Sequence, residues 1–281
     1  MAKRVYVKRK RRSYKAVIWV FAVVLALALL LEAGVFVEHL SPVWSPDYEK
    51  RDISPLLLKE ERTVQDYDEL LRQTGLSRTA IDELLGAGEA ESILEIQSGF
   101  FRKRERITTQ FAPFTCAHTI DENIKTAPLK DGDIIISPTT HFSFFRLGHS
   151  ALVTDAEFGD IAASVGYDSE SYIEDISEIT DRTSFIILRP RDEGKARAAA
   201  EYARENLLGL PYSVSIGLTS KKFPDTPKVT NCSHLVWYAY KAQGVDIDEN
   251  GGVFVFPKDM ILSGELEIVQ VYGINPKEIL K

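Results

Sequence analysis

The residues of this 281-residue chain best suited to nucleophilic or base chemistry at neutral pH are its two cysteines, Cys116 and Cys232, and its five histidines. Cys232 stands in TNCSHLVWYAYKAQGVDID (230–248), where an apolar helix is expected to begin at Asn231 or Cys232 and to stop at Gly244. Leu235, Val236, Ala239 and Tyr240 give that helix one apolar face, which would press it into a core and hold the sulfur in place. The first N–H groups of a helix lack intrahelical partners and, with the aligned peptide dipoles, favour an anion, so the thiolate of Cys232 gains stability there. Three readings compete for it: a buried small apolar side chain, half of a disulfide, or a nucleophile.

A thiol nucleophile needs a proton shuttle, and imidazole titrates in the right range. His39 lies far from the Cys232 region, and His234, two residues after Cys232, points about 200° away around a helix. His118 (TCAHTI) and His141 (PTTHFSF) sit in loop-like sequence. His149 follows Gly148 and opens a strand in which 149, 151 and 153 share a face, which makes it the candidate base. Metal binding by Cys116, His118 and His149 or Cys232 is the weaker alternative, because the Cys-x-His spacing of TCAH is tighter than structural zinc pairs use. A Cys116–Cys232 disulfide ranks with it. No metal or cofactor is expected.

Around these residues, DGDIIIS (131–137), GHSALVTD (148–155), GDIAASVG (159–166), SFIILR (184–189), GGVFVF (251–256) and ELEIVQVY (265–272) read as strands. DEGKARAAAEYARENLLG (192–209) reads as an Ala-rich helix closed by Gly209. The order strands, helix, helix, strands fits neither strict βαβ alternation nor an all-β fold, so the class is α+β, with helices packed on one antiparallel sheet over 106–281.

The N-terminal part is organised differently. Residues 1–15 hold eight of the 34 Lys and Arg residues and none of the 41 acids, so the rest of the chain is strongly acidic. The apolar run over 16–38 is long enough, at about 20 residues, to cross a bilayer. It reads as a transmembrane anchor with a cytoplasmic basic tail before it, in preference to a cleaved signal peptide. That topology predicts a single-pass cell-membrane protein with an extracytoplasmic catalytic domain. A proline-bearing segment over 39–62 reads as a stalk, and 63–105 as a helical hairpin segment with Ser77 as an N-cap. Its helix–Gly–helix pattern is not read as a DNA-binding motif, because Asp66, Asp68, Glu69, Asp82 and Glu83 would repel phosphate; no nucleic-acid partner is expected.

GDIIIS, GHSALVTD, LGLPYS and NCSHLVWYAYKAQGVDID, in that order over roughly 128–250, resemble the circularly permuted papain-like amidases of the NlpC/P60 superfamily, the YaeF/YiiX-like group. In that group the His strand precedes the Cys helix, and only their spatial arrangement matters to the chemistry. The resemblance implies Cys232 as nucleophile, His149 as general base and Tyr212 as a shaper of the oxyanion or substrate site. It also implies a thiol hydrolase acting on cell-wall peptide amides. NCSHLV is similar as well to an element of lecithin retinol acyltransferase-like proteins, which leaves lipid or thioester acyl substrates open, and a non-catalytic envelope adaptor is the further alternative. One departure stands out: where relatives carry an acidic orienter on the next strand, this chain has Ala162 and Ala163, with Ser164, Asp155 and Glu157 nearby.

Overall fold

The computed structural model describes residues 12–40, 43–111, 114–119, 124–142 and 145–279. The chain runs through α1 (Arg12–Leu40), α2 (Ser54–Leu57), α3 (Val64–Thr74), α4 (Arg78–Gly86) and α5 (Ala90–Phe100), then β1 (Arg106–Phe111) and β2 (Phe114–Thr119). Strands β3 (Ile134–Ser137), β4 (Thr140–Phe142), β5 (Phe145–Arg146), β6 (His149–Asp155), β7 (Asp160–Ala163) and β8 (Tyr172–Asp175) follow, with α6 (Ser177–Thr180) and β9 (Phe185–Pro190) after them. The chain closes with α7 (Glu193–Asn206), α8 (Cys232–Ala242), α9 (Pro257–Ile261), β10 (Leu266–Tyr272) and α10 (Pro276–Ile279).

The apolar runs in β3 and β9 have no polar alternation because both faces of their sheet are covered. Ile135, Phe185 and Ile187 face one core, shared with α3, α4 and α5, while Ile134, Ile136, Ile186 and Leu188 face a second core under α7 and α8. The six strands lie in the order β10-β9-β3-β6-β7-β8, all antiparallel. The layers are tied by Tyr240 on α8, whose hydroxyl donates to the Gly132 carbonyl. They are tied also by Arg189, which grips Asp133 through two nitrogens at 2.9 and 2.7 Å and reaches Glu83 on α4 at 2.6 Å.

The turn between α3 and α4 covers the β10 edge, a device that leaves fewer backbone groups free to pair with another chain. Ser77 N–H donates to the Val269 carbonyl and Val271 N–H to the Gly75 carbonyl. Gly75 has φ +73°, and a Cβ there would sit 2.0 Å from the Val271 oxygen. Ser77 caps α4 by accepting the Ala80 N–H. In the segment read as a stalk, Ile53 is fully buried and the Trp44 ring meets Phe100 edge-on at 5.6 Å.

Several expectations are corrected. The single antiparallel sheet is two: a four-stranded sheet of order β1-β2-β4-β5 lies beside the six-stranded one. Its short or largely polar strands carry little periodic apolar signal, whereas GGVFVF, which does, forms no strand. The fold is therefore a mixed α+β arrangement with two antiparallel sheets and, among the described residues, ten helices. Among those residues no helix is long and apolar enough to cross a membrane. This overturns the transmembrane anchor over 16–38 and, with it, the cell-membrane, extracytoplasmic placement. Residues 1–11 of the basic tail lie outside the described residues.

Candidate functional site

Asn231 starts α8 as its N-cap: in an extended conformation, its side-chain oxygen accepts the His234 N–H at 3.0 Å and its Nδ2 donates to the Ser213 carbonyl at 2.9 Å. Cys232 is thereby the first helical residue, with its thiol partly exposed and its Sγ 3.7 Å from Ser233 Oγ. Ser233 in turn accepts a hydrogen bond from Ser150 Oγ on β6 at 3.4 Å, which fixes the start of α8 against the start of that strand.

Gly148, at φ +74°, lets the chain enter β6 between the Ser137 carbonyl and Pro257, which would lie 3.2 and 3.3 Å from a Cβ. His149 follows as the first residue of β6, paired with Ser137 on β3. It is 4% exposed, and its Nε2 is sealed from solvent without a hydrogen-bond partner. Burial, and then the nearby Arg182 charge, push its imidazole well below the ordinary value of 6.5. It is therefore neutral at pH 7.

Cys232, His149 and Tyr212 line one cavity of about 230 Å³. The sulfur and the imidazole nonetheless make no hydrogen bond to one another. Alternation along β6 explains this: Ser150 and Leu152 face α8, while His149 falls in register with Ala151 and Val153, which face the other core. Tyr212 pairs with Thr230, just before the α8 cap, and its ring meets Tyr167 edge-on at 5.3 Å. Burial first, then Cys232 and Tyr167, raise its phenol, so it keeps its proton and remains a donor.

Other predicted candidates have structural partners. His234 is buried, with Nδ1 3.1 Å from Thr230 Oγ1 and Nε2 2.8 Å from the Lys222 carbonyl. His141 lies outside this cavity, its Nδ1 3.3 Å from the Thr139 carbonyl. Cys116 is buried, unbridged to Cys232, and 3.4 Å from Thr139 Oγ1. Burial alone would raise its thiol, but the Arg182 charge and then His118 bring it down to about 7. Among the described residues no group of three His, Cys, Asp or Glu side chains is placed to hold a metal ion. Of the substitutes for the acidic orienter, Ser164 is fully buried with its Oγ unpartnered, and neither Asp155 nor Glu157 lines the cavity.

Residues that sequence reasoning passed over complete the cavity. Val253 to Pro257 form an apolar wall, the use to which GGVFVF is put instead of a strand. Arg182, in TDRTSF, enters from the turn after α6, donating from Nε to the Glu178 carbonyl at 3.2 Å and from Nη1 to Thr140 Oγ1 at 2.9 Å. Nothing in the spacing around Arg182 signals that it would be buried beside His149; the return of β9 alongside β3 decides it.

No protein-family model and no solved structure matches the chain. Over 140 residues it is 28% identical to "Uncharacterized protein YycO" of Bacillus subtilis (strain 168), a match covering 50% of this chain and 55% of that protein. The chain thus spans about half the length of this relative, a distant and partial similarity that assigns no family.

Proposed function

We propose that the chain is a cysteine hydrolase that cleaves an amide or related acyl bond, with Cys232 as nucleophile and His149 as general base. The observation that supports this reading is the meeting of a partly exposed thiol at the start of α8 and a neutral imidazole at the start of β6 in one cavity. The His-strand-before-Cys-helix order adds to it, as the arrangement in the permuted papain-like amidases that the motifs resemble. In the reaction the sulfur bonds to the carbonyl carbon while its proton passes to His149, and His149 then gives that proton to the departing nitrogen. Water attacks the resulting thioester, His149 again taking the proton, and the acid leaves as the thiol is restored. Tyr212, which lines the same cavity and holds its proton, is the proposed donor to the oxyanion. Cell-wall peptide amides are the first substrate class and lipid or thioester acyl bonds the second.

A second reading, a non-catalytic adaptor module, is favoured by the unpartnered Nε2 of His149 and the missing thiol–imidazole hydrogen bond. Incubating the purified chain with peptidoglycan and, separately, with an acyl thioester distinguishes the two. A hydrolase releases products, identified by mass, that the Cys232→Ser variant does not. If both proteins leave both substrates intact while remaining folded, the adaptor reading stands.

A further inference from the structure

Arg182 is 5% exposed yet lines the cavity that holds Cys232 and His149. A buried guanidinium ordinarily meets a carboxylate, because an unpaired charge taken out of water is costly. Here its hydrogen bonds go to neutral oxygens, the Glu178 carbonyl and Thr140 Oγ1, through Nε and Nη1, which leaves Nη2 unused. No Asp or Glu lines the cavity, in a chain where 41 acids outnumber 34 Lys and Arg residues. The other cavity cation, Lys222, is already committed to Asp248. Glu174 feels the Arg182 charge, but no hydrogen bond or ion pair joins the two, and Glu174 does not line the cavity.

We infer that the cavity binds a ligand bearing an oxyanion, a carboxylate or a phosphate, which Arg182 recognises through its free guanidinium edge. On the reading of the chain as a hydrolase, the substrate is an acyl compound with an anionic group beside the scissile bond, its apolar part against the Val253–Pro257 wall. A planar guanidinium suits either oxyanion. An anion there would also offset the Arg182 charge that adds to burial in disfavouring protonated His149, so binding would make the base stronger at the moment it is needed.

The test is calorimetric titration of the full-length Cys232→Ala chain, which keeps the cavity but cannot turn over. Glutarate, its uncharged isostere glutaramide and methyl phosphate are compared. A charge-assisted hydrogen bond to a buried partner implies that one or both anions bind about 10- to 100-fold more tightly than glutaramide. Which anion binds better identifies carboxylate or phosphate as the natural group. Arg182→Lys should retain part of the preference and Arg182→Met abolish it, and the comparison within the Cys232→Ala parent needs neither variant to fold. Equal binding of glutarate, methyl phosphate and glutaramide, or none, overturns the anion site and leaves Arg182 a structural residue that holds the Glu178 carbonyl and Thr140 and lowers the Cys116 thiol. Anion-selective binding with no hydrolysis by the wild-type chain would keep the site and discard the hydrolase. Hydrolysis indifferent to substrate charge would do the reverse.

Discussion

The neutral, buried imidazole of His149 makes the stability of the fold depend on pH in a direction that can be worked out. Burial and Arg182 hold its folded value well below 6.5, whereas in the unfolded chain it titrates near that value. Between the two values the unfolded chain carries a proton that the folded chain lacks, so this contribution is intact above pH 6.5 and is lost as pH falls below it. Each pH unit below 6.5 costs up to about 1.4 kcal/mol for such a group, or about 2 kcal/mol between pH 7 and 5 if it stays neutral throughout. For a domain of this size that corresponds to roughly 4–8 °C in Tm. His149→Asn should remove that share, measured as the difference in Tm between pH 7 and pH 5 against wild type. His234 is the internal control: burial lowers it too, but its hydrogen bond to the Lys222 carbonyl pulls the other way, so His234→Asn should flatten the profile less. An unchanged pH profile in His149→Asn, or an NMR titration of its ring with a midpoint near 6.5, would refute the reasoning.

Three further outcomes follow from the geometry. In the folded chain iodoacetamide should modify one cysteine, Cys232, because Cys116 is fully buried; the Cys232→Ala variant should gain no label until denatured, as read by intact mass. Arg189→Met should lower stability by about 3–5 kcal/mol in denaturant titration, because it leaves Asp133, 1% exposed, without its bidentate partner and leaves Glu83 on α4 with Lys130 only. Gly75→Ala should cost more than about 1 kcal/mol, since it meets both a left-handed backbone and the Val271 carbonyl, while Gly88→Ala, equally left-handed but with open space around it, should cost less.

Local sequence determined the elements that carry the candidate chemistry. Apolar runs too short for helices gave β3, β6 and β9, the Asn before Cys232 supplied an N-cap, and Ser77 and Gly75 bounded the helices that close over one face of the sheet. Each of these is a choice among backbone conformations settled within a few residues, so it is readable from a few residues. The tertiary structure alone decided the rest. The second sheet comes from strands of two to six residues: β1 pairs with its neighbour β2 and β4 with its neighbour β5, but these two pairs become one sheet only where β2 meets β4, across the intervening β3. The turn of GGVFVF into a cavity wall depends on where α8 and β6 leave apolar space. Arg182 sits beside His149 only because β9 returns next to β3, and the face on which His149 stands is set by the register of β6 with β3. Side-chain type gave the sulfur and the imidazole; strand alternation, a long-range property once register is fixed, decided that they share a cavity without a hydrogen bond between them.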